Sequence, residues 1–327
     1  MTDFSKRPHI QDLDWNLLRI FVVLVDEGGI TRAANKLLRT QPTISSALKR
    51  LEDTVGRRLI ERGGGRFEIT DHGAILYREA RRVSDSLRNL NTMLHEADDD
   101  VTGSIRIAMA SFVVFPPFDD LLGAFHEQFP KVTFTLDVMP SKQVISTVAE
   151  GLCSFGICLL AKPLKRLETT VIYREKFGFF CGAKHPLFGR ANVDLKELQN
   201  STYVALKTDQ IADALHPIAK IRQQYGVGEE PTGTSSHVEE IRRMIIAGMG
   251  IGSLPIHAME RDMRDGRLWH IPLTVREPEL EVHLVRNSRT ALDRGEKIFV
   301  KMILDYISST DISHRSFPLH DVIPDAG

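Results

Sequence analysis

Gln41, Thr43, Ser45 and Ser46 present short hydrogen-bonding groups along one side of a stretch whose next outward residues are the cations Lys49 and Arg50. Amide and hydroxyl groups of this reach can meet base edges in a major groove, and cations beyond them can meet phosphates. The chemistry these spacings suggest is therefore non-covalent reading of duplex DNA. An ordinary helical hairpin with a polar outer face is the competing explanation of these residues alone.

Two short helices must hold this face. In the stretch ITRAANKLLRTQPTISSALKRLE, from Ile30 to Glu52, residues Ala33, Ala34, Leu37 and Leu38 supply small and apolar positions for the first. Ile44, Leu48, Leu51 and Val55 recur at intervals of four, three and four and form one buried stripe on the second. Thr40 is placed to cap that second helix, with Pro42 in its first turn, where a missing N–H costs nothing. A preceding helix from about Leu13 to Glu27, ended by Gly28-Gly29, offers Leu17, Leu18, Phe21, Val22, Leu24 and Val25 as the surface that holds both. Residues 1–11 read as a mobile extension.

Downstream, Arg62-Gly63-Gly64-Gly65-Arg66 reads as a hairpin tip between the arms Leu59-Ile60 and Phe67-Ile69. Thr70 then caps a long helix from Asp71 to about Ala97. In it Leu76, Ala80, Val83, Leu87, Leu90 and Leu94 repeat at four, three, four, three and four, the rhythm of a coiled-coil seam. A second copy of the chain is the expected partner along it, which would set two reading helices about 34 Å apart on a pseudo-palindrome.

Taken together, Phe21, Thr31, Ala33-Ala34, Gln41-Pro42, Ser45, Leu51-Glu52, Gly56, Leu59, Glu61-Arg62, Arg66, Ile69-Thr70 and Gly73 resemble the N-terminal domain of the LysR-type transcriptional regulators. The match spans roughly residues 14–94. Leu38 and Arg39 depart from the family's usual polar-then-apolar pair, and Ser46 and Ala47 replace longer polar side chains. The resemblance implies a winged helix-turn-helix, with Thr31, Arg32, Gln41, Pro42, Thr43, Ser45, Ser46, Lys49, Arg50, Arg62 and Arg66 as the DNA-binding residues. It also implies a homodimer or homotetramer, with RNA polymerase as a further partner.

After Asp98-Asp99-Asp100 the pattern alternates. Ile105–Met109, Val132–Val138 and Phe155–Leu159 read as strands, and Pro117–Phe129 and Ser141–Glu150 as helices, a βαβαβ run expected to form a doubly wound parallel sheet. The chain is then expected to leave this lobe near Ala161–Leu167 for a second one, built on strands Val171–Cys181, Thr202–Leu206 and Ile251–Leu254 with helices near Ala212–Gln224 and Val238–Ala247. Leu268–Leu273 is expected to return, followed by a strand Leu280–Val285, a closing helix Leu292–Ile307 and a loose tail. Gly103-Ser104-Ile105-Arg106-Ile107, Phe129-Pro130, Ser141 and Ala247-Gly248-Met249-Gly250-Ile251-Gly252 with Leu254-Pro255 resemble, more weakly, the effector-binding region of the same family, whose lobes are similar to periplasmic binding proteins. The expected fold class is thus α/β: a winged helix-turn-helix over 1–70, a linker and dimerisation helix over 71–97, and a two-lobed effector domain over 98–327. Lobe I would take about 104–162 and 269–308, and lobe II about 163–268.

In open α/β sheets ligands sit at the carboxyl ends of strands, near helix N-termini whose free N–H groups attract anions. Here those places are Ser111-Phe112, Ser141-Lys142, Thr208-Asp209 and Ser236-His237. Each serine could equally be a simple N-cap. Lys142 adds a cation, so a small carboxylate-bearing metabolite is the expected effector.

Composition bounds the alternatives. The 327 residues have a net charge of −1, yet residues 31–66 hold nine Lys/Arg against three acids, a local balance of +6. A basic patch on a neutral chain is an electrostatic footprint confined to one domain. No apolar run approaches signal-peptide or membrane-span length, so a cytoplasmic protein is expected. Cys153, Cys158 and Cys181 are odd in number and lie in apolar strand-like contexts, which suits core thiols better than disulfides. An enzyme or small-molecule-binding protein with an accessory helical domain is the rival class. There is no P-loop, no Gly-x-Ser-x-Gly and no metal-spaced His/Cys cluster among the twelve scattered histidines, so neither catalysis nor a cofactor is expected. The glycine run 248–252 follows a helix and leads into a strand, the reverse of a dinucleotide loop.

Overall fold

The computed structural model describes residues 13–63, 66–94, 101–111, 113–209, 213–274 and 276–317; the side chains of 62, 66, 82 and 85–94 fall outside the description. The chain forms two compact units, Met1–Ala97 and Asp98–Gly327. The expected extension at 1–11, the linker acids 98–100 and the glycine tip at 64–65 lie outside the described residues.

The first unit is built on α1 (Trp15–Asp26), α2 (Ile30–Lys36), α3 (Gln41–Val55), the antiparallel pair β1 (Ile60–Gly63) and β2 (Arg66–Ile69), and α4 (Asp71–Leu94). Leu17, Phe21 and Leu24 of α1 meet Ala33 and Ala34 of α2 and Ile44, Leu48 and Leu51 of α3 in one core. The small alanines let α2 approach closely, and burial of the branched residues supplies the stability. Asp14 caps α1 by accepting the Asn16 amide at 2.9 Å. Gly56 ends α3 at φ 68°, a left-handed conformation that glycine adopts without a Cβ penalty.

Thr70 caps α4 and also anchors it. Its hydroxyl donates to the Arg58 carbonyl at 2.8 Å and accepts the Gly73 amide at 3.0 Å. A Cβ at Gly73 would stand 2.1 Å from the Leu59 carbonyl oxygen, so only glycine lets α4 start against the wing. Of the first two positions of the expected seam, Leu76 packs against the core of its own unit and Ala80 is buried. Val83 is 44% exposed, and the side chains of Leu87, Leu90 and Leu94 lie outside the described residues.

The second unit holds β3 (Gly103–Met109), α5 (Pro116–Gln128), β4 (Val132–Val138), α6 (Ser141–Ala149), β5 (Phe155–Leu159), β6 (Glu168–Gly182), β7 (Tyr203–Leu206) and α7 (His216–Tyr225). It continues through β8 (Gly233–Ser235), α8 (Val238–Ile246), β9 (Ile251–Pro255), α9 (Glu260–Arg264), β10 (Leu268–His270), β11 (Glu279–Arg286), α10 (Arg294–Ser309) and β12 (Ser316–Phe317). Among the described residues the strands form a ten-stranded sheet ordered β4-β3-β5-β11-β6-β9-β7-β8, with β10 and β12 also on β6.

Three sequence expectations need correction here. The sheet is mixed: β3, β4 and β5 are parallel as expected, but β11 runs antiparallel to both β5 and β6. The reason is the length of β6. Its first part pairs with β11 up to Lys176 and its second pairs with β9 from Phe177, so one strand serves both lobes and the returning strand must oppose it. Leu268 does not rejoin the first lobe; β10 pairs with Phe180–Gly182, and the return comes at β11. Finally, the segment after Ser309 is no loose tail as far as Phe317. Arg315 is 6% exposed, donates to the carbonyls of Thr310 at 3.0 Å and of Val171 at 3.1 Å, and also donates to that of Ile172, while β12 pairs with Arg174 and Glu175.

Candidate DNA-binding surface and effector cleft

The helical repeat of α3 separates two faces. Ile44, Ala47, Leu48 and Leu51 are buried, whereas Gln41, Pro42, Thr43, Ser46, Lys49 and Arg50 are exposed and Ser45 is half-buried. Thr40 caps the helix through its hydroxyl, which lies 3.4 Å from the Thr43 amide nitrogen and 2.8 Å from the Thr43 hydroxyl. Thr43 is therefore oriented by the cap beside it. Thr31 is exposed. Arg32 serves the fold itself. Its Nη2 donates to the Gly28 carbonyl at 2.7 Å and its Nε to the Glu27 carbonyl, which closes the C-terminus of α1. The side chains of Arg62 and Arg66 lie outside the described residues; their backbones sit in the paired arms of the wing.

The charge count also points to four cations that the motif did not single out. Lys36, Arg39, Arg57 and Arg58 are all exposed on this unit. Of the nearby acids, Glu52 turns to the wing, where Oε1 accepts the amides of Leu59 at 2.9 Å and Ile60 at 3.3 Å. Leu38, in the turn before the reader helix, is 91% exposed with φ 52°.

In the second unit the eight expected ligand residues separate into distinct roles. Ser111, after β3, reaches across to α8: its hydroxyl donates to the Ser236 carbonyl at 3.1 Å and accepts the Val238 amide at 3.2 Å. Ser111 thus caps α8, whose own N-cap residue His237 makes no side-chain cap and is exposed. Ser236 takes part through its backbone. Phe112 lies outside the described residues. Ser141 opens α6 and is 1% exposed, and its hydroxyl has no partner. Beside it Lys142 pairs with Asp213 at 2.9 Å.

Asp209 is committed internally. It accepts from the Tyr203 hydroxyl at 2.8 Å and from Arg222 Nη1 at 2.9 Å, with the Arg222 guanidinium 4.0 Å above the Tyr203 ring. Burial pushes the Asp209 carboxyl above its usual range, and Arg222 and Tyr203 oppose that rise. Thr208 beside it is 7% exposed. An Asp–Arg pair separated by 13 residues leaves no signal in local spacing.

An open cavity of about 450 Å³ lies between the sheet of the first lobe and the start of α7, lined by Leu159, Leu160 and Arg174 on one side and by Ala214, His216 and Pro217 on another, with Glu279–Glu281 and His283 of β11. None of the eight expected ligand residues lines it, although Ala214 adjoins Asp213, the partner of Lys142. Arg174 is paired with Glu281 at 2.8 Å. Cys153, Cys158 and Cys181 are buried thiols, each pushed by burial up to about 12.

The family model for bacterial regulatory helix-turn-helix proteins of the lysR family matches residues 15–74, and that for the LysR substrate binding domain matches 98–308. The chain belongs to the LysR family. The HTH-type transcriptional activator BauR of Pseudomonas aeruginosa is 26% identical over 254 residues, 76% of this chain and 80% of BauR. The fold is that of a full-length OxyR variant from Pseudomonas aeruginosa, at TM-score 0.63 and 19% identity over 93% of this chain and 97% of that one. It is equally that of full-length CbnR complexed with its target DNA, at TM-score 0.63 and 16% identity over 90% and 100%. This LysR-family chain is accordingly a transcriptional regulator with a helix-turn-helix and a two-lobed substrate-binding domain, and its relatives are named as regulators, not enzymes. No helix among the described residues is long and apolar enough to cross a membrane.

Proposed function

We propose that this LysR-family regulator binds a pseudo-palindromic operator as a dimer or tetramer and that a small carboxylate-bearing metabolite, held between the lobes, changes that binding. The observation that carries the effector class is Ser141. A hydroxyl that is 1% exposed and unpartnered, at the N-terminus of a nine-residue helix with Lys142 next to it, is a donor set for an anion. The carboxylate would accept from the Ser141 hydroxyl and the first amides of α6, and would compete with Asp213 for Lys142.

The proposed division is a DNA-reading domain to residue 70, the linker helix over 71–97, and an effector domain from 98, with the lobe exchange between Lys176 and Phe177 of β6 and the return after β10. The DNA contacts would come from Thr31, Gln41, Thr43, Ser45, Ser46, Lys49 and Arg50, with Arg62 and Arg66 from the wing. Dimerisation through α4 is supported by Ile75 and Val83, which are 54% and 44% exposed on that helix. The protein would act in the cytoplasm, where its DNA and RNA polymerase are.

Thermal-shift screening of the full chain against small carboxylates tests the effector class. A carboxylate that stabilises the wild type and fails with Ser141→Ala, while Ser141→Ala keeps wild-type DNA affinity, supports the site. Stabilisation only by ligands without a carboxylate overturns it.

A further inference from the structure

Glu175 has no exposed surface, and neither carboxyl oxygen has a partner at hydrogen-bonding distance. Its place in the chain is singular. It stands on β6 one residue before the last pairing with β11, where the strand leaves one lobe for the other. Facing it is His257, in the short turn that follows β9.

The tautomer of His257 follows from geometry. Nε2 lies 2.8 Å from the Val114 carbonyl oxygen, which can only accept, so Nε2 carries the hydrogen. Nδ1 is then left with its lone pair, buried and unpartnered, 3.9 Å from Glu175 Oε2. A carboxylate would repel that lone pair, whereas a carboxylic acid could donate to it. Phe317 stacks on the imidazole with 4.9 Å between ring centroids and walls the pair from solvent.

Among the described residues no cation is placed to hold an ionised Glu175. Successive strand residues face opposite sides, so Arg174 and Lys176 point away from it, and Arg174 is paired with Glu281 of β11. Arg315, from the turn before β12, gives its donors to the carbonyls of Thr310, Val171 and Ile172. Tyr173, on the same face of β6, is uncharged and stacks at 4.9 Å on Phe115; Tyr306 of α10 meets that same ring edge-on at 5.8 Å. Burial pushes the Glu175 carboxyl well above its usual range, a rise that the neighbouring Tyr173 hydroxyl only partly opposes, and pushes the His257 imidazole below its own. Both shifts favour a neutral pair.

We propose that Glu175 is an uncharged carboxylic acid at neutral pH whose O–H, shared with Nδ1 of His257, positions the turn 113–115 from the strand that joins the lobes. Ser111 before this turn caps α8, the Val114 carbonyl holds His257, and Phe115 stacks on Tyr173. Closing the 3.9 Å gap to a hydrogen bond draws the turn at His257, and with it Val114, toward β6. Glu175 and His257 are positioning residues that tie the lobe setting to the turn before α5, whose Val114 carbonyl holds His257. Their role rests on the reading of this unit as an effector domain whose lobes shift.

The test uses the full chain without ligand, so that failure to find an effector and failure of this pair are separate results. An infrared difference spectrum, wild type minus Glu175→Gln at neutral pH, should contain the carbonyl stretch of a protonated acid; a carboxylate band in its place overturns the proposal. Hydrogen exchange at the Val113 and Val238 amides, corrected for intrinsic rates, should be faster in Glu175→Leu on the order of tenfold, as loss of the proposed Glu175–His257 hydrogen bond implies. Glu175→Gln, which keeps a donor, should exchange as wild type does. If Glu175→Leu does not fold, His257→Leu against His257→Gln decides, because glutamine can both donate to Val114 and accept from Glu175. Equal exchange in that pair of variants refutes the coupling.

Discussion

The Ser111 hydroxyl lies 3.2 Å from the backbone nitrogen of Val238, 127 residues later, and caps a helix of the opposite lobe. A residue expected to hold ligand thus holds the lobes together. It acts alongside two further polar links across the cleft, the Lys142–Asp213 pair at 2.9 Å and the His257–Val114 bond at 2.8 Å.

Ser111→Ala should remove that cap. Losing a side-chain cap costs on the order of 0.5–2 kcal/mol, expected here as a lower thermal midpoint and faster hydrogen exchange at the start of α8. Ser111→Thr should keep most of the wild-type protection, since threonine supplies the same hydroxyl. Equal protection in wild type and Ser111→Ala would show that the bond does not hold the lobes.

Leu38 contributes no burial and occupies φ 52°. A left-handed conformation costs an L-residue roughly 1–2 kcal/mol, less for asparagine. Leu38→Asn is therefore expected to raise the denaturant midpoint of the first unit, with an unchanged m-value. A lowered midpoint would mean that the side chain has a stabilising contact.

Arg222→Ala should be the costliest of these changes, because it strands the buried Asp209 carboxyl. Breaking a buried pair typically costs about 3–5 kcal/mol. The sign with pH follows from the raised carboxyl. A carboxyl that holds its proton more tightly in the folded state favours folding below its unfolded pKa, and that advantage is lost as pH rises through the folded pKa. Removing Arg222 enlarges the rise, so Arg222→Ala should lose stability with increasing pH more steeply than wild type, as unfolding across a pH series would show. Arg222→Ala with Asp209→Asn should flatten the difference.

Local rules made much of this legible from sequence. The spacing of Ile44, Leu48 and Leu51 and the cap at Thr40 are short-range signals, and the structure places both as those rules require. The longer strands of the second unit are recognisable one by one, whereas the short β8 and β12 are not, and neither are the pairings. Nothing near Leu268 says that it pairs with Gly182 and not with the first lobe, because pairing is decided by packing between segments far apart in sequence. The site residues divide the same way. The outward face of α3 follows from helical geometry, whereas Asp209 looked available only because Arg222 and Tyr203 reach it through the fold. Glu175 gave no sign at all, since a charged side chain within a strand ordinarily reads as exposed.

The central claim is that the polar and cationic face of α3 grips duplex DNA. Its most direct measurement is the salt dependence of binding to the DNA upstream of the protein's own gene, for wild type and Lys49→Gln/Arg50→Gln. Each phosphate contact contributes a slope of about −0.9 in log K against log salt. The wild type should bind with a steep slope, and the double variant should bind more weakly with a slope shallower by up to about two contacts. Wild-type affinity and slope in the double variant, with both proteins folded, would contradict the account.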